Sequence, residues 1–128
     1  KVYRLNSTTL IQLKEAEKAT GLDKQAIIGT LTMKKAGYVS GPGTKLKTFK
    51  SGVRELEASI KQDGNNAEYR FMRLMIQENA PGILGYKKEI EGDSDYIRKS
   101  FKSLPGTVQK AIIRYAKSSK VLREKDFN

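Results

Sequence analysis

Apolar residues recur along this chain at the three-and-four spacing of helices, and no stretch shows the sustained alternation of a strand. The clearest run is Leu46, Phe49, Val53, Leu56 and Ile60, which puts one apolar stripe on a helix of about four turns. Lys47, Lys50, Arg54, Glu57 and Lys61 fall on its other side. Further on, Tyr69, Phe71, Met72, Leu74, Met75 and Ile76 are interrupted only by Arg70, Arg73 and Glu78, so this helix is predicted to be the buried central one. Asp63-Gly64-Asn65-Asn66 between the two reads as a turn, with Asn65 or Asn66 as helix cap. Pro81-Gly82 ends the second helix, because the proline biases Ala80 away from helical angles.

The remaining elements follow from caps and breakers. A first helix is expected from Ser7-Thr8-Thr9, with Leu10, Leu13 and Ala16 on one face and Gly21 as its stop. Asp23 then caps a helix carrying Ala26, Ile27, Leu31 and Met33, which Gly37 ends. Residues 37–45 hold three glycines and a proline and read as a loop. Residues 83–91 read as a short helix or an irregular segment. Asp93-Ser94-Asp95 is expected to cap a helix with Tyr96, Ile97, Phe101 and Leu104 on its apolar face. Pro105-Gly106-Thr107 separates that from a last helix with Val108, Ala111, Ile112, Tyr115 and Ala116 inward. The polar tail, 120–128, is expected to fray. The chain therefore reads as one all-α domain over 1–128, a compact bundle of about six or seven antiparallel helices.

Composition narrows the chemistry. The 128 residues suit one domain, and 38% hydrophobic residues are too many for a disordered chain and too few for a membrane protein. Histidine and cysteine are both absent, which removes disulfides, thiolate and imidazole metal ligands, cysteine nucleophiles and His-based triads. General acid–base chemistry would have to rest on Asp, Glu, Lys or Tyr. The expectation is a non-enzymatic protein with no cofactor and no membrane span, working by contact with another protein. Lys and Arg number 25 against 14 Asp and Glu, a net charge of +11, so a polyanion such as nucleic acid is the alternative partner.

Two sets of side chains carry that reading. Arg70 and Arg73 lie three apart on an otherwise apolar helix and share a face. A buried arginine keeps its charge and needs acceptors, so the pair is expected either in a structural ion pair with Glu57 or Glu78, or at an anion site. Lys47, Lys50 and Arg54 on one helix, with Lys110, Arg114 and Lys117 on another, offer basic faces for phosphate contact. Ser40-Gly41-Pro42-Gly43-Thr44-Lys45 lacks phosphate-loop spacing and reads as a plain connection. Glu89, Glu91, Asp93 and Asp95 cluster without the EF-hand pattern, and helix capping accounts for the aspartates.

The words Glu-Leu-Glu-Ala-Ser-Ile-Lys-Gln-Asp-Gly-Asn-Asn-Ala-Glu at 55–68 resemble the turn of a tetratricopeptide hairpin, here spanning 46–79. Gly52 and Ser59 match its small seam residues and Leu56 a large one. Gly64 replaces the usual proline, and no second copy follows at the repeat's period. A second resemblance, over about 27–122, is to a group of small uncharacterised helical proteins from Bacteroidetes. It is carried by Asn66-Ala67-Glu68-Tyr69-Arg70-Phe71-Met72-Arg73-Leu74, Gln77-Glu78-Asn79-Ala80-Pro81 and Gly85-Tyr86. It implies an all-α fold and a periplasmic or secreted location, where the chain would otherwise read as cytoplasmic, and it implies no catalytic residue.

Overall fold

The computed structural model describes residues 21–128. Among the described residues are five α-helices packed together and no strand: α1 (Gly21–Lys35), α2 (Pro42–Gln62), α3 (Ala67–Asn79), α4 (Ile90–Ser100) and α5 (Gly106–Ala116). Short 3-10 turns stand at Ala36–Tyr38, Gly82–Leu84, Phe101–Ser103 and Glu124–Phe127. The helix expected from Ser7 lies outside the described residues. Within them, 83–91 supplies only a 3-10 turn and the first residues of α4, not a helix of its own.

The expected loop at 37–45 is shorter than its composition implied, because α2 opens inside it at Pro42. Proline's fixed φ suits a first helical turn, and its missing N–H is one that turn leaves unbonded anyway. Gly41, just before, takes a φ of +85°, which swings the chain into the helix.

α1 and α2 run antiparallel with their backbones touching. A Cβ on Gly52 would sit 2.5 Å from the Gly29 carbonyl oxygen, and one on Gly29 would sit 2.7 Å from the Leu56 amide nitrogen. The Ser59 hydroxyl donates to the Leu22 carbonyl at 3.5 Å, at the far end of the same contact. Gly52 and Ser59, the small residues of the tetratricopeptide-like stretch, therefore seat against α1.

Helix α3 runs through the middle. Asn66 caps it, its side chain accepting the Tyr69 N–H at 3.1 Å. Leu74, Met75 and Ile76 are buried, and so are Arg73 and Gln77. Phe71 meets Tyr115 of α5 edge-on, with ring centroids 5.7 Å apart. The stripe of α2 is core only in part: Phe49, Leu56 and Ile60 are buried, Val53 is half-buried and Leu46 is exposed.

The tail corrects the expectation of fraying. Leu122 is wholly buried, and the Phe127 ring lies 4.6 Å from Phe101. Glu78 accepts from the Ser119 hydroxyl at 2.8 Å and the Lys120 N–H at 2.6 Å, while Arg98 pairs with Asp126 at 3.1 Å. Three apolar side chains within a polar segment, Leu122 with the half-buried Val121 and Phe127, hold it down; burying a side chain of Leu size is worth about 1.5–3 kcal/mol.

Candidate interaction groove and the charge network behind it

Asp93 was expected to cap a helix. Instead α4 begins at Ile90, which places Asp93 in the first turn with its carboxylate wholly buried. Arg73 grips it with both Nε and Nη2, each at 2.8 Å. Arg70 Nε donates to it at 3.1 Å and Gln77 Nε2 at 3.0 Å. Four donors on two carboxylate oxygens satisfy the buried charge, and the forked Arg73 contact is the strong, charge-assisted kind. The third nitrogen of Arg73, Nη1, reaches Glu57 of α2 at 2.8 Å. The other oxygen of Glu57 accepts the Tyr86 hydroxyl. Gln77 Oε1 accepts the Glu89 N–H at 2.8 Å, tying the start of α4 to α3.

Arg70 and Arg73 are thus brought together on one carboxylate. The Arg73 side chain is 7% exposed and has a carboxylate on either side. Burial by itself would lower its pKa, but the hydrogen bonds and charge of Asp93, and then the charge of Glu57, raise it beyond the ordinary arginine value. Arg70 is 19% exposed and lies over the Tyr96 ring, 4.4 Å from its centroid. Burial pushes the Tyr86 phenol well above its usual range, and its hydrogen bond to Glu57 and that residue's charge add to the shift, so it stays a donor. The network fastens α2, α3, α4 and the segment after Pro81 to one another. Glu78, the other carboxylate considered for these arginines, holds Tyr115 and the tail instead.

On the far side of Tyr86 lies a groove of about 300 Å³. One wall is the first half of α2, with Leu46, Phe49 and Val53; the other is Leu84, Gly85 and Tyr86. Phe49 and Tyr86 meet edge-on at 5.8 Å across it. Lys50 and Arg54 complete its lining, which contains no carboxylate. Leu46 is 41% exposed, and Ile83, beside Leu84 in the 3-10 turn, is 95% exposed. Sequence reasoning missed this groove. Its α2 wall looked like core stripe, and its second wall lies in a segment with no period.

The other candidates separate. Lys50 and Arg54 stand at the groove, and Lys47 is exposed on the same helix. Lys110 and Arg114 are exposed on α5, and Lys117 is exposed just after its end. None of these six forms an ion pair among the described residues. The acidic cluster divides: Asp93 turns inward, while Asp95 pairs with Arg98 at 2.9 Å. Among the described residues no group of three or more carboxylates is placed to hold a metal ion, and no helix is long and apolar enough to cross a membrane. Comparison of the chain with known protein families, with curated proteins and with solved structures finds no match.

Proposed function

We propose that this chain is a non-enzymatic helical module that works by binding another protein, with the groove between α2 and residues 84–86 as its contact surface. The observation that carries the reading is the groove itself: apolar walls, Leu46 exposed in its lining, and two cations unpaired among the described residues. The buried charges of Arg73 and Asp93, by contrast, are matched to one another by a forked hydrogen bond. Selection of a displayed random-peptide library against the folded domain tests the proposal. Peptides that saturate, and that lose binding with Leu46→Glu, support it; a selection yielding no groove-directed peptide overturns it.

The second reading is polyanion binding through the exposed basic rows Lys47, Lys50, Arg54 and Lys110, Arg114, Lys117. Their lack of ion pairs among the described residues favours it. Retention on heparin across a salt series decides, because a phosphate- or sulfate-driven affinity falls steeply as salt rises.

A further inference from the structure

We infer that the groove receives an acidic amphipathic segment of a partner protein: one or two large apolar side chains seated between α2 and residues 84–86, with Asp or Glu beside them facing Lys50 and Arg54. This rests on the protein-binding reading and names the chemistry of the partner.

Three observations point the same way. The first is size. A volume of about 300 Å³ lies at the lower end of the range for small-molecule sites, so it suits side-chain anchors better than a whole cofactor. The second is form. Leu46 and Val53 lie two turns apart on one face of α2, with the buried Phe49 as the floor between them, so the accessible apolar surface runs along a helix and suits an amphipathic segment laid beside it. The third is charge. Lys50 and Arg54 are one helical turn apart, so carboxylates one turn apart on a partner helix match them. Glu57, one turn beyond Val53 on α2, would oppose an acidic ligand if it were free. It is held instead by Arg73 and Tyr86, which leaves the groove's field positive. A bare polyanion would use the two cations and leave the apolar walls wet; an uncharged apolar segment would leave the cations unused. An acidic amphipathic segment satisfies both. In such contacts the charges speed and orient the encounter, while the apolar anchors set the residence time.

The test uses a synthetic helical peptide with leucines along one face and glutamates on the others, labelled with fluorescein. It is compared with a peptide of the same composition and scattered leucines, a version with lysine for glutamate, and phosphatidylglycerol vesicles. Binding is read by fluorescence anisotropy and located by amide chemical shifts. The acidic amphipathic peptide is expected to bind and to shift amides within 46–54 and 82–86. Leu46→Glu, and separately the pair Lys50→Glu with Arg54→Glu, should each weaken it about tenfold or more, the size of one lost interface anchor. All three positions are exposed, so circular dichroism of the variants should match the parent. Equal binding by the scattered-leucine peptide, indifference to Leu46→Glu, or groove shifts caused by vesicles alone would each overturn the inference. Should the lysine peptide or library-selected peptides occupy the groove while the acidic one does not, the partner chemistry is wrong and the protein-binding reading stands. Should the library also yield no groove peptide, both fall.

Discussion

Arg73→Met is the most telling perturbation of this fold. Methionine keeps much of the buried volume but removes two of the four hydrogen bonds on Asp93 and the one to Glu57. Glu57 is 38% exposed and can turn to water, so the loss falls on Asp93, which stays wholly enclosed with only Arg70 and Gln77. Two charge-assisted hydrogen bonds at about 1.5–3 kcal/mol each agree with the roughly 3–5 kcal/mol for breaking a buried pair from one side. For a domain of this size that lowers Tm by roughly 10–20 °C. Urea unfolding followed by circular dichroism measures it. A second variant isolates the cause. Arg73→Met combined with Asp93→Leu removes the stranded charge, and Arg70 can lean outward over Tyr96. The double variant should be less destabilised than the sum of the two single changes by at least about 1 kcal/mol. An Arg73→Met midpoint within about 0.5 kcal/mol of the parent would refute the reasoning, because it would mean that Asp93 is solvated rather than buried.

Other outcomes follow from the same packing. Leu56→Ala, at a wholly buried position, should destabilise by about 2–5 kcal/mol in urea, and an unchanged midpoint would contradict its place in the core. Gly52→Ala should cost at least the roughly 1–3 kcal/mol of an overpacked core, because its Cβ would meet a backbone oxygen at 2.5 Å; a silent change would show that the helices stand farther apart. Glu78→Ala should release the tail, seen as faster amide exchange at Lys120 to Leu122, and unchanged exchange there would deny Glu78 that role. Stability should fall above about pH 10, where an unfolded tyrosine loses its proton. Burial and Glu57 hold the Tyr86 proton past that point in the folded state, and burial and Glu78 hold that of Tyr115, so the unfolded state binds fewer protons. A urea midpoint that stays level while absorbance shows these phenols ionising would refute this.

What could be read in the sequence was whatever has a local period or a local cap. Phe49, Leu56 and Ile60 announce α2 by spacing, and Asn66 announces the start of α3 by its side chain. Asp93 shows why the charge network could not be read. It shares the composition of a cap with Asp95, and a helix start three residues earlier turns one of them into the core and leaves the other on the surface. Its partners lie some twenty residues upstream, and no periodicity joins them. Leu46 and Val53 failed differently: their spacing marks the correct helix face, but that face reaches beyond the core to a groove whose other wall is an aperiodic loop. The tail reads as polar because Val121, Leu122 and Phe127 make no helical or strand period.

The glycine crossing of α1 and α2 gives the groove walls unequal stiffness. α2 is so closely packed on α1 that a Cβ at Gly52 would clash with the Gly29 carbonyl, so the wall that carries Leu46, Phe49 and Val53 is the stiffer one. The facing wall is held by the turn bonds Leu84 to Pro81 and Gly85 to Gly82, by the Tyr86 hydroxyl on Glu57, and by Leu84 and Tyr86 packing against the core. If the groove takes a partner's side chain as proposed, the adjustment falls first on residues 82–86, where Gly82, Ile83 and Gly85 are exposed.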